Sequence, residues 1–190
     1  DGGVAGRDYA EKKTWGLAPS FQFQLAPATR VTVTYQHDEQ RDRPEFGGLG
    51  GSIDGTATAA RPSRPVDRSR FYGLLSDHDD VTIDVASLRL EHDLTPTMRL
   101  SNFSRYSNTD RQAIYTVLGA LDLRPDMNTG AVTELVTTNR QAFAREIETL
   151  VNQTNLAAQF STGKIDHSFA GGFEFLRENG RTRRDWTGLG

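Results

Sequence analysis

Along Thr154–Leu176 the apolar side chains fall at even spacings: Leu156, Ala158 and Phe160, then, after a turn, Ile165, Phe169, Phe173 and Phe175. A step of two puts each set on one face of a β-strand. Asn155, Gln159, Asp166, Ser168 and Glu174 take the other face. Ser161-Thr162-Gly163-Lys164 between the runs predicts a tight turn, with Gly163 free to adopt positive φ. The same unit occurs twice upstream. In Trp15–Asp38, Trp15, Leu17, Pro19, Phe21, Phe23 and Leu25 share one parity, Pro27-Ala28-Thr29 turns the chain, and Val31, Val33 and Tyr35 return against Thr32, Thr34, Gln36 and Asp38. Pro19 then has to sit where no ladder N–H is needed. In Val85–Ser107, Ala86, Leu88, Leu90 and Leu94 oppose Ser87, Arg89, Glu91 and Asp93. Thr95-Pro96-Thr97 turns, and Met98, Leu100 and Tyr106 return, with Phe103 on the other parity.

The stretches between the hairpins have no steady period. Glu39–Asp80 reads as a long loop, with Pro44, Gly47-Gly48, Gly50-Gly51, Pro62 and Pro65 among the arginines 41, 43, 61, 64, 68 and 70. Loops of that length are functional or disordered more often than structural. Asn108–Asn139 is mixed. Ile114, Val117, Leu118 and Leu121 have the spacing of a short helix, and Phe143, Ile147, Leu150 and Val151 predict another over Arg140–Leu150, capped by Asn139. The charged segment Glu178–Arg184 reads as the opening of a further loop. Three tight turns near residues 28, 96 and 162 therefore alternate with two long excursions. Short turns at one end and long loops at the other is the plan of a transmembrane β-barrel. A soluble sandwich alternates in the same way but with shorter strands, and alternation alone leaves both open.

Composition adds little to this picture. The chain has 190 residues, a net charge of −3, 36% hydrophobic residues and no cysteine. The absence of cysteine removes disulfides and thiolate metal sites, and the near-neutral charge gives no reason to expect nucleic acid. No apolar run reaches the length of a spanning helix, but transmembrane strands are short and only alternately apolar, so such a test misses them. The N-terminal DGGVAGRDYAEKK has no apolar core and the final RRDWTGLG no terminal character, so the expectation is a piece from within a longer chain.

Four segments resemble TonB-dependent siderophore receptors of the catecholate and ferrichrome type: 18–47, 64–73 (RPVDRSRFYG), 79–106 (with SLRLEHDL) and 152–178. The resemblance covers nearly the whole chain. It implies an all-β, antiparallel up-and-down barrel in the cell outer membrane, of which this chain is a mid-barrel piece of about six strands. It also implies that Arg140–Leu150 is strand, within a run from about Thr137 to Phe160. The implied partners are a ferric siderophore of catecholate or hydroxamate type, outer-membrane lipid, and the TonB system acting through a plug domain. No plug, TonB-box segment or C-terminal aromatic strand is expected among these residues.

Enzyme chemistry finds no motif. Gly47–Gly51 lacks a following Lys-Ser/Thr pair, no Gly-x-Ser-x-Gly occurs, and His37, His78, His92 and His167 are scattered. Asp77-His78-Asp79-Asp80 has metal-ligand side chains, but neighbours in an extended chain point apart, and it reads as a solvated acidic shoulder. Neither a cofactor nor a bound metal is expected. The candidate ligand contacts are Arg43, Phe46, Arg64, Arg68, Arg70, Phe71 and Tyr72 of the long loop, since arginine offers forked donors and stacks on rings. Charged outer loops also serve to engage lipopolysaccharide and to stay soluble, so the two roles stand level. Trp15, Phe21, Phe23, Val31, Val33, Tyr35, Phe169, Phe173 and Phe175 are expected to face lipid. The alternative is a soluble β-domain that binds carbohydrate or protein through the Arg/aromatic loop.

Overall fold

The computed structural model describes residues 2–3, 5–45 and 69–185. Among them all regular structure is strand: β1 (Gly2–Gly3), β2 (Glu11–Leu17), β3 (Ser20–Ala26), β4 (Thr29–Arg43), β5 (His78–Thr95), β6 (Met98–Pro125), β7 (Val132–Thr162) and β8 (Ile165–Asp185). They form one antiparallel sheet in the order β1-β2-β4-β5-β6-β7-β8, with β3 also paired to β4. β2 and β3 lie end to end against β4, so Leu17 opposes His37 and Ser20 opposes Thr34 without a change of register. The break between them falls at Ala18-Pro19. Proline has no N–H to give the ladder, and its carbonyl accepts from the Tyr35 N–H at 3.1 Å. Apart from β1, the sheet is thus a meander of six long strands, as the hairpin pattern implies.

The turns at Pro27-Ala28, Pro96-Thr97 and Gly163-Lys164 share one end of the sheet. Two of them place proline first, where its fixed φ suits the turn. The third uses Gly163 at φ 65°. The long connections share the other end. The first begins after Arg43 and ends before His78. The second excursion is almost wholly strand, closing in a short tip between Pro125 and Val132. The short helix that spacing suggests at 114–121 is absent, and 140–150 is strand, as the resemblance implies; a spacing of four is even and lands on one face of a strand as readily as on one face of a helix. Phe143, Ile147 and Val151 oppose Arg184, Gly180 and Leu176 of β8. Glu178–Arg184 likewise continues β8 rather than opening a loop.

Cross-strand register sorts the side chains into two faces. One row across β4 to β8 is Tyr35, Ala86, Tyr106, Leu150 and Arg177. Toward the turns follow Val33 and Leu88 with Phe175, then Val31 and Leu90 with Phe173, then Leu100, Leu156 and Gly171. Phe21 and Phe23 of β3 extend this apolar face. Met98 to Tyr106 covers about 27 Å along the strand. With the tilt of a barrel strand that is roughly 20 Å of depth, close to the apolar band of an outer-membrane barrel. The row next nearer the loops is His37, Asp84, Asn108, Glu148 and Asn179, which ends the band. At this border three aromatic tips donate to carboxylates: Tyr35 to Asp84 at 2.6 Å, Tyr106 to Glu148 at 3.2 Å and Trp15 to Glu39 at 2.7 Å. The arrangement is that of an interfacial girdle, with rings in the apolar zone and polar tips toward water. Two rows of the band carry polar groups on β6 and β7. Asn102, Ser104, Asn152 and Thr154 satisfy one another at 2.8–3.2 Å.

Phe21, Phe23, Leu90 and Phe173 are 39–68% exposed, and no second sheet covers them among the described residues. A sandwich would have buried Phe23, Leu90 and Phe173 between two layers. The buried apolar residues among those described are Ala10, Val85, Ala113, Leu121 and Ala158, mostly small. Phe103, odd in the alternation, lies on the polar face, where the Arg89 guanidinium sits 5.0 Å from its ring.

At the β6–β7 tip the Asp126 carboxylate accepts from the N–H groups of Asn128 (2.8 Å) and Thr129 (3.3 Å), and Gly130 closes the turn at φ 70°. The Asn128 N–H first, then the Thr129 hydroxyl and N–H, hold the Asp126 carboxyl below its ordinary value. A carboxyl depressed in the folded tip keeps the tip ordered above the unfolded value near 4, and that order is lost as pH falls through the depressed value. A spin label at Met127→Cys should keep constant mobility from neutral pH down to about 4 and loosen below it. Adding Asp126→Ala should give the loose spectrum already at neutral pH.

The 190-residue chain on its own exposes an apolar face and leaves the outer edges of β3 and β8 unpaired among the described residues. Such a sheet aggregates in water. Size-exclusion chromatography without detergent should give only high-mass species, and a monomer with a cooperative thermal transition would contradict this.

Candidate functional site

On the polar face, nearer the loops than the girdle, β6, β7 and β8 line a half-open cavity of about 360 Å³. Arg111 and Tyr115 come from β6, Gln141, Phe143 and Arg145 from β7, and Thr182 and Arg184 from β8. Register brings them together: Arg111 opposes Arg145, Tyr115 opposes Gln141, Arg145 opposes Thr182 and Phe143 opposes Arg184. Ala113, 2% exposed, lies opposite Phe143 as a small residue between Arg111 and Tyr115. The Phe143 ring meets Tyr115 edge-on at 6.2 Å, and the Arg111 guanidinium stands 5.1 Å from it. The Tyr115 hydroxyl donates to Gln141 at 3.1 Å.

Arg111 is also gripped by Asp79 of β5 through Nε at 2.8 Å and Nη2 at 2.5 Å. This forked pair, with the Asp79 side chain 13% exposed, raises the Arg111 guanidinium above its ordinary value. Arg145 and Arg184 are exposed and have no carboxylate partner among the described residues. The cavity therefore offers an aromatic wall, one neutralised guanidinium and two cations directed at water. Such a site suits an anion carrying a flat ring.

Of the loop residues read from the sequence, Phe46, Arg64 and Arg68 lie outside the described residues. Arg43 ends β4 on the apolar-face parity, 3.7 Å from Glu11, and donates to the Tyr9 carbonyl at 3.2 Å. Arg70 is exposed, while Phe71 and Tyr72 are half-buried and Phe71 packs 6.2 Å from Tyr9. The loop is anchored by Asp77, 3% exposed. Its carboxylate accepts from the Leu74 N–H (3.0 Å), the Thr116 N–H (2.9 Å) and the Thr116 hydroxyl (3.2 Å). Gly73 is needed here, since a β-carbon would come within 2.6 Å of the Phe71 ring and 2.8 Å of the Asp77 carboxylate. The shoulder of acids is accounted for by separate partners: Asp77 on Thr116, Asp79 on Arg111, Asp80 near Arg41 at 3.7 Å, and His78 on the Ser76 carbonyl at 3.0 Å.

No family model matches the chain. The catecholate siderophore receptor Fiu of Escherichia coli K12 is 37% identical over 183 residues, which cover 92% of this chain and 24% of that protein. The crystal structure of the ferric-catecholate import receptor Fiu of E. coli K12 superposes with a TM-score of 0.72 at 32% identity, over 94% of this chain and 28% of that one. The chain is homologous to a barrel segment of TonB-dependent siderophore receptors. The siderophore receptor PiuA of Acinetobacter baumannii agrees, with a TM-score of 0.69 at 25% identity over 97% of this chain and 27% of that one. The probable TonB-dependent receptor BfrD of Bordetella pertussis is 33% identical over 178 residues. The chain spans about a quarter of the length of the curated relatives it matches. The named relatives are receptors rather than enzymes. In a receptor barrel the apolar face is the lipid side and the polar face, with the cavity, is the lumen side.

The β6–β8 cavity of this receptor segment was not picked out by sequence reasoning. Arg111 with Tyr115, Phe143 with Arg145, and Thr182 with Arg184 each share a strand parity, and that is the only local signal they carry. It becomes legible only once 108–125 and 178–185 are known to be strand.

Asp77 supplies the test of the loop anchor. In the intact protein, Asp77→Ala should speed hydrogen exchange at the Leu74 and Thr116 amides by roughly ten- to a hundredfold. That corresponds to about 1–3 kcal/mol for leaving a buried donor unpaired. Unchanged exchange at both amides would mean that other contacts hold the loop foot.

Proposed function

We propose that the chain is part of the wall of an outer-membrane TonB-dependent receptor that takes up a ferric siderophore. The observation that carries this reading is the similarity to receptors over nine-tenths of the chain, in sequence and in fold together. The apolar band contacts outer-membrane lipid, and the loop end faces the outside. The siderophore enters between the outer loops and passes along the lumen side. Energy reaches the barrel from the TonB system through a plug domain. A catecholate ligand is the narrower reading, supported by the name of the 37% identical relative and by the arginine and aromatic side chains on the lumen side.

The first contacts with the ligand are assigned to the long loop: Arg43, Phe46, Arg64, Arg68, Arg70, Phe71 and Tyr72. Arg70 is free to meet solvent, and Phe71 is held in place by Tyr9. The test uses the full-length receptor in an iron-starved Gram-negative strain lacking its own ferric-siderophore receptors. Cells expressing it should bind and take up radio-iron as a ferric catecholate, and uptake should vanish without TonB. Arg68→Ala with Arg70→Ala should weaken whole-cell binding by roughly ten- to a hundredfold and flatten its salt dependence. Unchanged affinity with a lower outer-membrane level of the protein would instead make these residues braces of the loop. Failure of any ferric siderophore to bind would overturn the transport reading itself.

A further inference from the structure

We infer that four polar side chains on the lipid side of β6 and β7, Asn102, Ser104, Asn152 and Thr154, form a clamp that fixes the register of these two strands. This rests on the receptor reading for the lipid side, but the clamp is argued from its own geometry. The four lie on two successive rows inside the apolar band, with Ser104 opposite Asn152 and Asn102 opposite Thr154. Leu88 and Leu90 flank them on β5, and Phe175 and Phe173 on β8. The four are half-buried, recessed between these more exposed apolar neighbours. The Asn102 and Asn152 amides donate to each other's carbonyl oxygens at 3.2 Å across the ladder. Each amide also donates at 2.8 Å to the hydroxyl directly opposite it, Asn102 to Thr154 and Asn152 to Ser104.

The placing of such bonds follows how the strands are joined. A slip of one residue turns every side chain to the wrong face, so the alternation excludes it. A slip of two keeps the faces, and the alternation does not resist it. Where a tight turn joins two strands beside the band, the turn itself fixes the register, as at Pro27 for β3–β4, Pro96 for β5–β6 and Gly163 for β7–β8. Among the described residues these pairs carry no side-chain hydrogen bond across the lipid side of the band. β6 and β7 join only at the far tip, beyond Pro125, with a register shift between Leu118 and Leu121 on the way. β4 and β5 likewise join only through the long connection after Arg43. They too carry cross-strand side-chain bonds on this side: Thr29 with His92 at 2.9 Å toward the turns, and Tyr35 and His37 to Asp84 at 2.6 and 2.8 Å at the girdle. For β6 and β7 a slip of two in one direction sets Ser104 against Leu150 and Thr154 against Leu100. The other direction sets Asn102 against Leu156 and Asn152 against Tyr106. Either takes two of the four from the partner opposite, in hydrocarbon where no water replaces it. Two stranded groups disfavour a slipped register by roughly a hundredfold or more.

The experiment uses the full-length receptor, cleared of any other cysteine and refolded into detergent micelles, with cross-links read on the heat-modifiable folded band alone. Cysteines directly opposite each other lie within disulfide reach, and cysteines two residues out of step do not. Ser101→Cys with Asn155→Cys reports the native register from the lumen side. Ser101→Cys with Gln153→Cys, or with Ala157→Cys, reports a slip of two in either direction. The wild-type quartet should give the native cross-link only. Replacing the whole quartet by apolar residues (Asn102→Leu, Ser104→Ala, Asn152→Leu and Thr154→Val) should keep the folded yield and make the slipped cross-links appear beside the native one. Asn102→Leu alone leaves the Asn152 amide short of a partner, and should lower the folded yield severalfold, below that of the quadruple variant. The native cross-link alone in the folded quadruple variant would overturn the clamp and leave the receptor reading standing, and so would an Asn102→Leu variant with wild-type yield. A quadruple variant that does not fold would mean that the quartet holds the strands together rather than choosing between registers, and would overturn the clamp as well. A full-length protein that refolds in water without detergent would overturn the receptor reading, and with it the cost that the clamp imposes.

Discussion

The backbone ladder is the interaction on which everything else depends. The described strands pair in one sheet, and no second layer covers either face among the described residues. Most globular folds are held by burying an apolar face inside the molecule. Here that face carries Phe21, Phe23, Phe173 and Phe175 at 51–68% exposure. Its burial has to come from outside the sheet, and in the proposed receptor it comes from lipid. In lipid an unpaired N–H or C=O costs several kcal/mol, so an uninterrupted ladder is the condition for placing the face there at all. Pro19, which the alternation places inside a strand run, sits at the break between β2 and β3, where the ladder asks for no donor. The same rule governs the polar side chains of the band. Asn102, Ser104, Asn152 and Thr154 bond to one another across β6 and β7, so each of these side chains has a partner within the band.

How much of the fold could be read from the sequence follows from where solvent changes. In the proposed barrel, one face meets lipid and the other water between the turns and the girdle. The alternation is therefore clean, and it located the hairpins at Pro27, Pro96 and Gly163. Beyond the girdle both faces meet water. Nothing then forces an apolar residue onto one side, and Asn108–Pro125 and Glu178–Asp185 lose the period-two signal while remaining strand. Spacings of four, as in Phe143, Ile147 and Val151, fit helix and strand alike, and only pairing with β6 and β8 decides between them. The candidate site divides in the same way. Loop arginines stand out by composition. Residues that meet across β6, β7 and β8 are separated by tens of positions, and no local pattern links Arg111 to Arg184.

Register across the extended strands is kept by a small device. Leu118 opposes Thr138, but Leu121 opposes Val136, so β6 carries one extra residue at Gly119-Ala120. The Thr137 hydroxyl donates to the freed Ala120 carbonyl at 2.6 Å. A β-carbon on Gly119 would come within 2.5 Å of that hydroxyl oxygen, so glycine is what lets the bulge close. The bulge shifts the parity of β6 toward the tip and not below it, which leaves Arg111 and Tyr115 on the same face as Phe143 and Arg145.

That face holds its charges unevenly. Toward the turns Arg99 is matched by Asp93 at 2.5 Å and Arg30 stands 3.7 Å from Glu91, while Arg89 lies over Phe103. Nearer the loops Arg111 is matched by Asp79. Arg105, Arg145 and Arg184, exposed on the same face, have no carboxylate partner among the described residues. A surface ion pair contributes little to stability, so complete matching is not needed to hold the sheet together, and the backbone ladder rather than charge pairing fixes how these strands meet.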